Sequence, residues 1–304
     1  MKSQKVTSFV TVILLIFLSM SAYANIQKSV GNTYVFIKSE NLNQFNTVIT
    51  GFMNRLPNAK LAIFDMQGKH NEWKIKKFLE AKKPSVIITL GSLATNTTVK
   101  IEKKLPIIFA MVINYKKYSF SNQNNVTGIS MEIPPQKLFN QFRMLLPKVK
   151  SIGVPFNPEA SAEIVSDALF VASKMDIKLV GIKVKNPDNI TAKLHEKINS
   201  YDALWMLADT KLYNSSTNAT QKLMFFSNKY AKPLLVFSEA FLQSGAFFSI
   251  TIDYHSLGMQ IAFIADKIFT EKLVPNRVKI ASPIGIYRVL NEENAKLLEE
   301  NFDE

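Results

Sequence analysis

Nine short apolar runs, separated by longer amphipathic stretches, constrain this chain more than anything else in it. The runs Thr33–Lys38, Lys60–Asp65, Ser85–Leu90, Pro106–Val112, Ser151–Phe156, Lys178–Val184, Ala203–Ala208, Pro233–Phe237 and Phe247–Ile252 are rich in Ile, Val, Leu and Phe. They show little period-two alternation. Strands with both faces buried read this way, as in a parallel sheet covered by helices on each side. The intervening stretches carry helical signals. Pro134-Pro135 suits a first helical turn, and Leu138, Phe139, Phe142, Leu145 and Leu146 follow on one face before Pro147. Ser161 reads as an N-cap, ahead of Ile164, Ala168, Leu169 and Ala172. Leu257, Ile261, Ile264 and Ile268 place a third helix over about Ser256–Thr270. The expected class is therefore α/β.

Four runs precede the polar stretch Tyr118–Asn125 and five follow it. Each set suffices for one doubly wound lobe, so two Rossmann-like lobes are expected rather than one very wide sheet. A chain of 304 residues is long enough for two ordinary domains. It has no cysteine, which excludes disulfides, thiolate metal sites, iron–sulfur clusters, a cysteine nucleophile and a cysteine-linked lipid anchor.

The first residues read as an export signal. Lys2 and Lys5 form a basic start, an apolar stretch runs from Phe9 to Met20, and Ser21-Ala22-Tyr23-Ala24 supplies an A-x-A cleavage pattern. The stretch is short for a membrane span. Residues 1–24 are thus expected to be a cleavable signal peptide, with the mature protein in the periplasm and no lipid anchor.

The net charge is +13. The lysines come in scattered pairs, Lys76-Lys77, Lys82-Lys83, Lys103-Lys104 and Lys116-Lys117, without interleaved aromatics or a recognition motif. They read as a solvated basic face, not as a nucleic-acid surface.

Catalytic signatures are missing from the sequence. His70, His195 and His255 stand far apart, with no H-E-x-x-H, and no metal site is expected. Neither G-x-S-x-G, nor the P-loop pattern, nor G-x-G-x-x-G after a strand occurs, so no cofactor is expected. The polar and aromatic residues that stand out instead follow the carboxyl ends of the expected strands, where open parallel sheets bind ligands. They are Gly91 and Ser92, Asn114 and Tyr115, Phe156 and Asn157 with Ser161, Asp209, Ser238 and Glu239, and Asp253 and Tyr254. Exposed N–H groups at Gly91-Ser92 suit an anion. Asp209 or Asp253 suits a cationic group, and Tyr115, Phe156 and Tyr254 suit stacking on an aromatic body. Each also has a plain structural reading as a cap, turn or core residue.

Several stretches in order carry a family resemblance. They are Gly91-Ser92-x-Ala94, Val126-Thr127-Gly128-Ile129-Ser130, Pro147 to Val154, Phe156-Asn157-Pro158 with Ser161, Asp202-Ala203-Leu204-Trp205 with Asp209, Lys232-Pro233-Leu234, Gly245-Ala246, and Asp253-Tyr254 leading to Leu257-Gly258-x-Gln260. From about Val30 to Leu297 the chain resembles ABC transporter substrate-binding proteins of the type whose best-known members bind tryptophan or tyrosine. The resemblance implies a type I periplasmic binding protein fold with three segments crossing between lobes, near Gln123–Thr127, Ile252–His255 and Lys279–Pro283. The first lobe would hold residues 30–125 plus about 255–279, the second 126–252 plus about 280–304. It also implies a monomer that closes on a small solute and hands it to a membrane permease, with no catalysis; the alternative is presentation of the solute to a membrane receptor kinase or cyclase. This chain departs from the pattern at Asn114-Tyr115, where many members have an acidic residue and proline, and at Phe156, where they have tyrosine.

Overall fold

A computed structural model describes residues 32–292; the expected signal peptide lies outside them. The chain divides into two units. The first takes the described residues up to Glu132 and then Tyr254–Gly285; the second takes Ile133–Asp253 and the residues from Ile286 on.

In the first unit, β1 (Thr33–Lys38), β2 (Lys60–Asp65), β3 (Val86–Leu90), β4 (Ile107–Ala110) and β5 (Val126–Gly128) form a parallel sheet in the order β2-β1-β3-β4-β5. Its helices are α1 (Asn43–Arg55), α2 (Glu72–Lys82) and α3 (Ser92–Ile101). The apolar run of β1 is unbroken because both faces are covered. Val35 and Ile37 join Ile75, Leu79 and Val99 of α2 and α3 in one core. Tyr34 and Phe36 point the other way, their rings 5.2 and 5.1 Å from that of Phe52 on α1.

The second unit holds β6 (Ser151–Phe156), β7 (Lys178–Lys183), β8 (Ala203–Trp205), β9 (Leu234–Val236), β10 (Phe248–Ile252) and β11 (Ile286–Leu290), ordered β11-β10-β9-β8-β6-β7. All pairings are parallel except β10 with β11. α4 (Pro135–Leu145) and α5 (Pro158–Ser173) cover one face, with Phe139, Phe142, Val165 and Ala168 packed on Ile152, Val154 and Phe248. α6 (Ile190–His195) and α7 (Ala219–Lys229) cover the other, with Leu194, Leu223 and Phe226 packed on Leu204, Met206 and Leu234.

The last long helix, α8 (Tyr254–Thr270), follows β10 in sequence but belongs to the first unit, where it packs on α1. Leu257, Ile261, Ile264 and Ile268 are all buried there. The two helix backbones approach so closely that a Cβ on Gly258 would lie 1.9 Å from the Val48 carbonyl oxygen. Only glycine fits that crossing.

Three expectations are corrected. Val126–Gly128 is not the start of the second lobe: it extends the first sheet, with Ile107 opposite Val126 and Phe109 opposite Gly128. The returning chain then bonds along β5, as the Thr127 hydroxyl donates to the Val278 carbonyl (2.8 Å) and the Ala281 N–H to the Gly128 carbonyl (3.0 Å). That holds the segment through Gly285 in the first unit, so the boundaries fall at 132/133 and 285/286 rather than near 125 and 280. Finally, α5 begins a turn earlier than Ser161. Asn157 is its N-cap, accepting from the Glu159 N–H at 3.0 Å, and Pro158 occupies the first turn, where its missing N–H costs nothing. The four lysine pairs named above are exposed.

Candidate functional site

The first unit reverses strand order between β1 and β3, the point at which open α/β sheets form a crevice at the carboxyl edge. Ser39 and Gly91 meet there. The Ser39 hydroxyl donates to the Leu90 carbonyl (3.0 Å) and accepts from the Ala94 N–H (3.0 Å). Gly91 has φ of 90°, and a Cβ on it would lie 2.5 Å from Ser39 Oγ. The α3 terminus is therefore built as expected at Gly91-Ser92, but one of its N–H groups is already bonded by Ser39. The N–H groups of Ser92 and Leu93 complete the terminus, and Ser92 is half-buried.

Beside it is a group that sequence reading passed over. Lys38, the last residue of β1, has a side chain only 8% exposed. Its ammonium reaches Asn41 Oδ1 at 3.0 Å, Asn46 Oδ1 at 3.2 Å and Asp65 Oδ2 at 3.5 Å. A lysine ending an otherwise apolar strand was the available signal.

Asn114 lies beyond β4 in the left-handed region, with φ of 52°, and caps a short turn at Tyr115–Lys117. Its N–H donates to Glu132 Oε1 at 3.1 Å. The Tyr115 ring leans on the core, its centroid 5.5 Å from that of Phe109. Ile113 is 46% exposed next to it. Tyr254 opens α8 and is half-buried.

In the second unit the structure gathers Asn157, Ser161 and Asp209, and turns them inward. Asp209 Oδ2 accepts from the Asn157 N–H and the Ser161 hydroxyl, both at 2.8 Å. Its Oδ1 accepts from the N–H groups of Lys211 (2.9 Å) and Leu212 (3.0 Å). A carboxylate has about four acceptor sites, and here four protein donors fill them. Asp209 is 1% exposed. In place of the cation-binding role expected from sequence, it ties the β6–α5 junction to the loop after β8. Phe156 is corrected likewise. It is 5% exposed and lies within the core, its ring edge 3.4 Å from where a Cβ on Gly181 would be. It has no face to offer a stacked solute.

A different group at this edge faces outward. Ser238 is half-buried and Glu239 exposed at the turn after β9. Tyr287 on β11 stands opposite Thr251 of β10, within electrostatic reach of Glu239 and Asp253. Phe237 is 36% exposed, its ring edge-on to Phe241 at 5.2 Å. Phe237 and Tyr287 were not anticipated. Tyr287 comes from an antiparallel edge strand whose positions are half-buried or exposed, so no apolar run marks it.

The three histidines serve separate local contacts: His70 with Thr97, His195 with Tyr230 and His255 with Asn54. Among the described residues no cluster of three or more His, Cys, Asp or Glu is placed to hold a metal, and no helix is long and apolar enough to cross a membrane. A depression of about 600 Å³ lined in part by Val86, Pro106 and Phe269 lies at the amino ends of β3 and β4, the opposite edge of that sheet.

Residues 61–302 match the family described as ABC transporter substrate binding protein, far more than half of the chain. The chain belongs to that family. Among characterised relatives is a tyrosine-binding protein of Clostridioides difficile, 23% identical over 230 residues. The match takes in 73% of this chain and 65% of the relative, so the chain spans under two thirds of that protein's length. Among solved structures, the ligand-free, open form of a substrate binding protein with adhesive properties from Clostridium difficile superposes with a TM-score of 0.71, at 19% identity, over 88% of this chain and 95% of the other. An ABC domain in complex with L-Trp from Streptococcus pneumonia gives a TM-score of 0.58, at 18% identity, over 88% and 94%. These likenesses establish the periplasmic binding protein fold, with two α/β units of parallel sheet.

Proposed function

We propose that this substrate-binding chain is the extracytoplasmic component of an ABC uptake system, and that it captures an amino acid with an aromatic side chain without altering it. The family match over residues 61–302 carries the reading. The two relatives whose names give tyrosine and L-Trp narrow the solute class. Each unit by itself carries chemistry compatible with such a solute at its carboxyl edge: N–H donors at Ser92 and Leu93 in the first, and partly exposed Phe237 and Tyr287 in the second. Binding by closure of the two units would follow from differential affinity of the solute for the closed state, and a membrane permease would then recognise that state.

Thermal unfolding of the purified, ligand-stripped protein against a panel of amino acids, nucleosides and sugars tests this. A solute held at a hundred times its Kd stabilises the folded protein by about 2.7 kcal/mol, a midpoint shift of several degrees. A shift with tyrosine or tryptophan supports the reading. A shift confined to sugars or nucleosides refutes the amino-acid assignment. Binding without uptake in cells carrying the permease would move the end use to sensing.

A further inference from the structure

The chemistry at the first unit's edge contains one carboxylate whose surroundings differ from all the others described above. β4 and β5 are neighbours in the sheet, and the loops leaving their carboxyl ends meet where the Asn114 N–H reaches Glu132 Oε1 at 3.1 Å. The Ser130 hydroxyl and the backbone N–H of Glu132 itself also favour the charged carboxylate. Among the described residues these donors are neutral, and a carboxylate has roughly four acceptor sites. Lys116 contributes the attraction of its charge, the weakest of the influences on the group. Burial, the strongest, pushes the Glu132 carboxyl above the usual carboxylate range, opposed by those hydrogen bonds.

Among the described residues Glu132 is thus half-buried, fixed by the Asn114 N–H and surrounded by neutral donors that do not fill its acceptor sites. Asp209 is the contrast, with two donors on each oxygen and almost no exposure. A negative charge that is partly desolvated gains most from a cation delivered to it in a fixed geometry. Glu132 also stands where such a cation would arrive, beside Asn114 and the exposed Ile113 at the carboxyl edge. It follows a strand of only three residues, too short to announce itself in the sequence.

We propose that Glu132 takes the ammonium group of the solute and makes this protein selective for amine-bearing solutes over their deaminated counterparts. The proposal rests on the solute-binding reading above. The Asn114 N–H contact makes the carboxylate's position depend on the left-handed turn at Asn114, so the recognition element spans both loops.

The test is calorimetric titration of the intact protein with L-tyrosine and L-tryptophan, and with 3-(4-hydroxyphenyl)propionate and indole-3-propionate, which lack the amine. The wild type is expected to favour the amino acids by about tenfold or more, the scale of one charge-assisted hydrogen bond. Glu132→Gln keeps the shape and removes the charge. It is expected to lose that preference, weakening the amino acids while leaving the deaminated probes within about twofold. If Glu132→Gln does not fold, Glu132→Asp decides, since withdrawing the carboxylate by one methylene weakens only the amine-bearing probes. An unchanged preference, or equal weakening of both classes, overturns the proposal while leaving the amino-acid reading intact. If the wild type binds none of the four probes, that reading falls and this proposal with it.

Discussion

Replacing Asp209 separates a structural carboxylate from a ligand-binding one. In Asp209→Ala four donors lose their acceptor at once: the N–H groups of Asn157, Lys211 and Leu212 and the Ser161 hydroxyl. Those of Asn157, Ser161 and Leu212 are buried, so water does not replace the carboxylate for them. A buried donor left unsatisfied costs about 1–3 kcal/mol, and such losses within one network are not additive. Three buried donors at that cost, taken as less than additive, give an expected loss of unfolding free energy of about 3–5 kcal/mol. Asp209→Asn keeps the volume and one acceptor oxygen but turns an NH₂ toward two donors, for an expected loss of about 2–4 kcal/mol. Urea unfolding followed by tryptophan fluorescence reads the effect, because Trp205 is buried in the same unit. A loss below about 1 kcal/mol in Asp209→Asn, together with abolished solute binding, would refute the reasoning and return Asp209 to the role of a ligand contact.

Other outcomes follow from the same structure. Gly258→Ala sets helix propensity, which favours alanine by about 0.8–1 kcal/mol, against a Cβ forced to 1.9 Å from the Val48 carbonyl. Overpacking of that kind costs about 1–3 kcal/mol or more, so net destabilisation in thermal unfolding is expected and a stabilised variant would contradict the packing. Phe156→Ala is expected to lose about 3–5 kcal/mol as a core truncation; near-wild-type stability with weakened binding of aromatic solutes would restore its stacking role. Burial raises the phenols of Tyr201 and Tyr213 above their usual value near 10. The unfolded chain releases these protons near pH 10 while the folded one keeps them, so stability should fall as pH rises through 10. Absorbance at 295 nm should show the buried tyrosines, Tyr34 among them, ionising only as the protein unfolds; smooth titration of all tyrosines before unfolding would contradict the burial.

The fold was legible where apolar runs were long. β1, β2 and β6 have the expected bounds because both faces of each are covered or the run ends at a turn residue. β5 and β11 were not legible. Three residues, Val126–Gly128, carry no period, and Ile286–Leu290 is a partly exposed antiparallel edge whose pattern differs from its buried neighbours. Missing β5 is also what displaced the unit boundary. At the candidate site, position at a carboxyl edge was readable but direction was not. Asn157, Ser161 and Asp209 stand at strand ends and look like ligand groups, yet they satisfy one another across about fifty residues of sequence. Lys38 escaped notice because it closes an apolar strand, and Tyr287 because it lies on a half-exposed edge strand with no apolar run.

The proposed function requires that this chain bind an amino acid with an aromatic side chain and release it unchanged. Titrating ligand-stripped protein with L-tyrosine and L-tryptophan by calorimetry, then recovering the bound solute by denaturation and mass analysis, tests both halves at once. Saturable binding of at least one, with that solute recovered intact, is the predicted result. No heat with either, or recovery of a chemically altered solute, would contradict it.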